Sequence, residues 1–317
     1  MRTKDSNHYR YRFRLSFLHP RYWATWLGLG FYFIITLLPL PVIDWLGCRL
    51  GDLAATKNKK RFNIVKTNLS LCFPDKETTE IESMAVQHFQ AQFRSLLHYF
   101  IIWWRPAFLV KRKIDTAGFE QIPHYQQQGK QVIVLLAHSV GLEFAVAAIS
   151  MAFKTNGPYK KMRNPVVDWM VANGRLRFGK TRGIKLFTRD DGLRPLIRET
   201  RAGKVMIYLA DEDLGEKNAL FVPFFDVQKA TISVLGRMAK SCNAVVLPCV
   251  SCYQPASRRY SVQLLPAIKD LPSGDDELDS KNMNKALEQL IELCPLQYLW
   301  TLRYFKTRPP GEPSVYE

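Results

Sequence analysis

At 317 residues the chain can bury one large core, and a content of 47% hydrophobic and 12% aromatic residues excludes general disorder. Its formal charge of +17 implies an anionic partner: a membrane surface, phosphate groups, an acidic protein or nucleic acid. The cysteines at 48, 72, 242, 249, 252 and 294 are too sparse for a disulfide-stapled small domain, so reduced packing thiols are expected. Cys249-x-x-Cys252 has metal-like spacing, but no second pair or nearby His completes four ligands, so no metal site is expected.

The first 21 residues carry six Arg or Lys against one acid, which predicts a basic cytoplasmic N-terminus. Tyr22 to Ile43 then runs twenty-two residues without a charge, and about 20 apolar residues suffice to cross ~30 Å of hydrocarbon. Residues 22–46 are therefore expected to form a membrane anchor helix. Pro39 and Pro41 interrupt the run late, and Arg49, Lys57, Lys59, Lys60, Arg61 and Lys66 make its far flank basic too. Two basic flanks are awkward for a simple span and suit an anchor that dips into one leaflet, so spanning and embedding both stay open. The remainder, 47–317, is expected to fold as one α/β domain.

A helix is predicted over Thr79–Trp104, opened by a capping box at Thr79 and Glu82 and carrying Met84, Phe89, Phe93, Leu96, Leu97, Phe100 and Ile101 at helical spacing. Strands and helices then alternate. Strands are expected at 131–137, 158–162, 184–187, 204–210, 244–253 and 259–265. Helices are expected at 140–153, 165–178, 191–201, 231–241 and 280–294, with a polar loop over 270–279. This alternation predicts a central, mostly parallel sheet flanked by helices.

Within this frame His138 stands two residues beyond the apolar run Val132–Leu136, and Glu143 stands five residues later, where a helix begins. A strand-to-helix junction is a common site for catalytic groups in α/β proteins. There a carboxylate can orient an imidazole that removes a proton from a hydroxyl, so His138 and Glu143 are the catalytic candidates. Residues 154–204 hold fourteen Lys or Arg against four acids. In that stretch Gly174-Arg175-Leu176-Arg177 and Lys180-Thr181-Arg182 sit at a helix end and loop, where the guanidinium fork suits phosphate or an oxyanion. The strand ending at Ala210 delivers Asp211 and Asp213 before Gly215. These aspartates are candidates to organise Arg175 or Arg177 beside His138, and a solvated turn is the plain alternative. His8, His88 and His98 lack comparable company and read as surface or packing residues.

In order, the chain carries Leu18-His19-Pro20-Arg21-Tyr22-Trp23, Asn68-Leu69-Ser70-Leu71-Cys72-Phe73-Pro74, His138-x4-Glu143 and Asn164-Pro165-x-x-Asp168-Trp169. Gly174-Arg175-Leu176-Arg177, Asp211-x-Asp213-x-Gly215, Val222-Pro223-Phe224-Phe225, Gln297-Tyr298-Leu299-Trp300 and Phe305-Lys306-Thr307-Arg308-Pro309 follow. Over nearly its whole length it resembles the late acyltransferases of lipid A biosynthesis, the lauroyl type above all. The resemblance implies a single αβ acyltransferase domain on the cytoplasmic face of a Gram-negative inner membrane. Such an enzyme moves a fatty acyl chain from acyl carrier protein to a hydroxyl on a hydroxyacyl chain of Kdo2-lipid IVA, with no cofactor beyond the carrier's own arm. The chain departs from the family pattern at Ser139-Val140-Gly141 and Met162-Arg163-Asn164, positions that bear on acyl or acceptor choice. Two rivals are a same-fold acyltransferase for another lipid hydroxyl and a non-catalytic, membrane-tethered basic binding protein. No helix-turn-helix, finger or RNA-binding aromatic motif points to nucleic acid.

Overall fold

The computed structural model describes residues 11–179 and 183–316. The first ten residues of the basic N-terminus, with His8, and Lys180-Thr181-Arg182 of the basic run lie outside the described residues.

The predicted anchor helix is corrected first. The uncharged run splits into α1 (Trp23–Leu37) and α2 (Leu40–Lys57), with Leu38 extended at the break and Pro39 in the N-cap position of α2. Proline there has no N–H to continue the first helix and disfavours helical geometry in the residue before it. The 15 residues of α1 reach only about 22 Å. Among the described residues no helix is long and apolar enough to cross a membrane. Instead α2 packs along α4 (Thr78–Trp104, after α3, Lys59–Cys72), with Gly47 and Gly51 at the contact. A Cβ at Gly51 would lie 2.5 Å from the Gln90 Cα, so only glycine admits this approach.

Helix α4 buries Met84, Phe89, Leu97 and Phe100 as its spacing predicts, while Leu96 stays exposed. The expected capping box does not form: the helix starts at Thr78, and its N-cap, Glu77, makes no side-chain cap bond. Beyond it come α5 (Ala107–Lys111), β1 (Ile114–Ala117), α6 (Gln121–Gln127), β2 (Gln131–Leu136), α7 (Leu142–Ala152), β3 (Thr155–Tyr159), α8 (Pro165–Leu176), β4 (Lys185–Thr188), α9 (Arg194–Arg201) and β5 (Val205–Leu209). A hairpin of β6 (Ala219–Phe224) and β7 (Val227–Ile232) follows, then α10 (Leu235–Cys242), β8 (Ala244–Gln254), β9 (Arg259–Leu264) and α11 (Asp276–Glu292).

Among the described residues seven strands form the central sheet, in the order β1-β9-β8-β2-β5-β3-β4. The run from β8 to β4 is parallel, and β9 and β1 run the other way. Strand β2 sits mid-sheet and is buried on both faces, as its continuous apolar run requires. Its alternate side chains divide between two cores. Ile133 and Leu135 pack with α3, α4, α10 and α11, while Val132, Val134 and Leu136 pack with α7 and β9. Cys252 and Cys294 form a disulfide across 42 positions, which corrects the expectation of reduced thiols at those two residues.

Candidate active site

Parallel register builds the site. Leu136 of β2 pairs with Leu209 of β5, so His138 and Asp211, each two residues beyond its strand, emerge side by side at the carboxyl edge of the sheet. The His138 N–H donates to Asp211 Oδ2 at 2.7 Å, and Nδ1 lies 2.6 Å from Oδ1. With Nδ1 engaged, Nε2 is left as the basic nitrogen. Asp211 is fully buried, whereas the His138 side chain keeps 24% exposure. Burial opposes charge on both groups, but each favours the charged form of the other. Burial would push His138 down, yet the Asp211 charge and hydrogen bond raise it above its ordinary value. Burial would likewise push Asp211 up, yet the imidazole and its own backbone N–H hold it low.

The loop carrying His138 is pinned from the C-terminal segment. Leu299 N–H donates to the His138 carbonyl at 2.8 Å, Val140 N–H donates to the Gln297 carbonyl at 2.8 Å, and Ser139 bridges to Tyr298. Gln297 also bonds the Tyr253 backbone through both ends of its amide. Asn68 donates to the carbonyls of Trp300 and Leu302, each at 2.7 Å. The Asn68 and Gln297–Trp300 motifs therefore hold the His138 loop in place.

Glu143, in the first turn of α7, is paired elsewhere. Arg175 Nε lies 3.0 and 3.1 Å from its two carboxylate oxygens, and Arg175 Nη2 closes a second contact. Desolvation opposes the charge of this guanidinium, but Glu143 outweighs it and holds it firmly protonated. Arg175 is delivered by α8, where Asn164 caps the Val166 and Val167 amides and Pro165 fills the first position. In the first turn of that helix Asp168 accepts from Tyr159 Oη and Met162 N–H, both at 2.8 Å. Arg177 donates to the Ile102 and Arg105 carbonyls at 2.7 and 2.6 Å, at the C-terminal end of α4. Asp213 accepts from Thr307 N–H at 2.6 Å and Thr307 Oγ1 at 2.8 Å, fixing the Phe305–Arg308 segment.

The six candidates thus form two carboxylate pairs and two anchors. The carboxylate on the imidazole is Asp211, not the Glu143 that sequence proximity suggests. The carboxylate on Arg175 is Glu143 rather than an aspartate. Sequence reasoning missed Lys229 on β7, which is fully buried with no hydrogen-bond partner for its ammonium among the described residues. Desolvation lowers its pKa, while the charges of Asp211 and Asp213 work against that shift. It also missed a second imidazole–carboxylate contact: buried His98 places Nε2 3.0 Å from Asp44 Oδ1 and Nδ1 3.0 Å from Tyr260 Oη. Among the described residues no group of three or more His, Cys, Asp or Glu is placed to hold a metal ion. Beside Arg175 a narrow apolar cleft runs between Leu142 and Val146 of α7 and Ile207 and Leu209 of β5.

Comparison with known proteins bears on this geometry. Residues 10–307 match the family of bacterial lipid A biosynthesis acyltransferases. The chain is 36% identical over 306 residues to the lipid A biosynthesis lauroyltransferase of Escherichia coli, covering 96% of this chain and 98% of that protein. It is 33% identical over 319 residues to the lipid A biosynthesis myristoyltransferase of the same organism, covering 100% of this chain and 98% of that protein. A lipid A biosynthesis acyltransferase of Haemophilus influenzae is 31% identical over 309 residues, covering 96% and 94%.

Proposed function

The chain belongs to the bacterial lipid A biosynthesis acyltransferases and is an acyltransferase of that pathway, and we propose that it moves a fatty acyl chain from acyl carrier protein to a hydroxyl on a hydroxyacyl chain of Kdo2-lipid IVA. The observation that carries this reading is the His138–Asp211 pair. A ring held through Nδ1 by a buried carboxylate presents Nε2 as a base, and Asp211 stabilises the imidazolium that forms. The acceptor hydroxyl loses its proton to Nε2 as its oxygen attacks the thioester carbonyl. The resulting oxyanion collapses, breaking the carbon–sulfur bond, and the imidazolium returns the proton to the leaving thiolate.

Arg175 is the stabiliser we assign to the oxyanion or an acceptor phosphate. Glu143 uses its Nε and Nη2, leaving Nη1 for the substrate. Glu143 therefore acts by positioning Arg175, and the ring-orienting role expected of it passes to Asp211. Arg177 and Asp213 act through the backbone they hold. The apolar cleft beside Arg175 suits the donor chain.

The membrane is proposed as the place of action, with the catalytic domain on the cytoplasmic face of the inner membrane. Leu27, Phe31, Ile34 and Trp45 on α1 and α2 are 57–75% exposed, and an apolar surface of this kind is stabilised by burial in one leaflet. The basic surface suits acidic acyl carrier protein and the acidic acceptor lipid.

Single-turnover loss of acyl-carrier-protein thioester tests the chemistry. His138→Ala is expected to stay folded and slow transfer by roughly 10²–10⁴-fold. Transfer near the wild-type rate would remove the imidazole from the reaction.

A further inference from the structure

At the break between α1 and α2 a cavity of about 770 Å³ opens against the end of α4. Its lining combines apolar Leu38, Ile43, Ile101 and Leu109 with the cations Arg105, Arg112, Lys113 and Arg259. These cations differ in their company. Arg259 is neutralised by Asp115, with Nε 2.6 Å from Oδ2. Among the described residues Arg105 donates to a carbonyl, that of Thr36, and to no carboxylate. Arg112 and Lys113 have no carboxylate partner among the described residues, and no carboxylate lines the cavity.

An apolar cavity whose lining also carries uncompensated cations matches one kind of molecule, an acyl chain that ends in an anionic headgroup. The chain would leave water against the leucine and isoleucine walls, and a phosphate would satisfy the guanidinium and ammonium donors. Inorganic phosphate leaves the apolar walls unused, and a neutral chain leaves the cations unpaired. The cavity includes Leu37 and Leu38, which are 59% and 36% exposed and continue the apolar surface of α1. None of His138, Glu143, Arg175 and Asp211 lines it.

We propose that this cavity binds an anionic glycerophospholipid from the surrounding bilayer, with an acyl chain against its apolar lining and its phosphate between Arg105, Arg112 and Lys113. The proposal rests on the membrane reading above. It gives the site a role separate from catalysis: seating the α1–α2 break against a charged leaflet.

The test is flotation of the purified full chain with phosphatidylcholine vesicles, with and without phosphatidylglycerol. Arg112→Gln/Lys113→Gln is compared with Lys240→Gln/Lys269→Gln, an equal charge loss at exposed positions elsewhere. The Arg112/Lys113 variant is expected to lose roughly tenfold or more of the phosphatidylglycerol-dependent binding, and the matched variant less than about twofold. Native mass spectrometry should show one phosphatidylglycerol retained by wild type and by the matched variant. It should be lost from the Arg112/Lys113 variant and from the cavity-filling Leu109→Trp. Equal losses in the two double variants, or wild-type binding indifferent to phosphatidylglycerol, would overturn the site while leaving membrane contact standing. No flotation with either vesicle would overturn both. A raised acceptor KM in the Arg112/Lys113 variant, with its lipid preference intact, would give the cavity to the acceptor and also defeat the proposal.

Discussion

Asp211 is fully buried, and an isolated carboxylate in that place would protonate; the imidazole at 2.6 Å keeps it charged. The dependence runs both ways, so Asp211→Asn should have a signed effect. Without the carboxylate, burial dominates at His138, its pKa falls, and the acidic limb of kcat/KM moves to lower pH. The plateau should drop by roughly 10²–10⁴-fold as the ring loses its orienting partner. A pH–rate profile reads both, and an unmoved limb would separate Asp211 from the base. Glu143→Ala acts differently because it strands a largely buried guanidinium, with side-chain exposures of 19% and 7% in the pair. A loss of about 3 kcal/mol is expected in denaturant unfolding. A third residue, His88, shows how burial alone shapes pH stability. It is fully buried, with Nδ1 3.0 Å from the Leu296 carbonyl, and burial pushes its pKa down from 6.5 to about 4. Folding then keeps it neutral while the unfolded chain takes up a proton below pH 6.5. Its contribution is present above that value and is lost as pH falls towards 4, on the order of 3 kcal/mol. Unfolding of His88→Phe across that range should lack this component.

Individual elements were legible where one local pattern decided them. The continuous Val132–Leu136 run, the Asn164-Pro165 start of α8 and, apart from exposed Leu96, the apolar spacing of α4 appear in the fold. Misreadings came where distant partners decide. Val222-Pro223-Phe224-Phe225 lies in and just beyond β6, whose hairpin with β7 was not foreseen, and the helix expected from 231 begins only at Leu235. The expected anchor run lacks charge, but Pro39 ends the first helix after 15 residues. Two element-level measurements follow. Asn164→Ala removes the cap of the helix that delivers Arg175, and should cost about 1 kcal/mol in thermal unfolding. Gly51→Leu pushes α2 off α4, where even a Cβ meets Gln90 backbone at 2.5 Å. A loss of about 3 kcal/mol or more is expected, and a neutral effect would mean the helices do not approach so closely.

At the scale of the whole molecule, sheet order converts a sequence list into a site. His138 and Asp211 are 73 positions apart, and only the adjacency of β2 and β5 brings them together. No spacing rule predicts that adjacency, so the nearer Glu143 was the natural sequence candidate. The +17 charge also belongs to this scale. If it recruits an acidic carrier, KM for acyl carrier protein should rise several-fold between low and high salt with kcat nearly constant, because screening weakens encounter more than chemistry. The most direct measurement is the intact mass of Kdo2-lipid IVA after incubation with the purified chain and a mixture of acyl-carrier-protein thioesters. The account predicts a gain of one acyl group that requires the thioester and is absent with His138→Ala. An unchanged lipid mass, or the same gain from the His138→Ala variant, would contradict it.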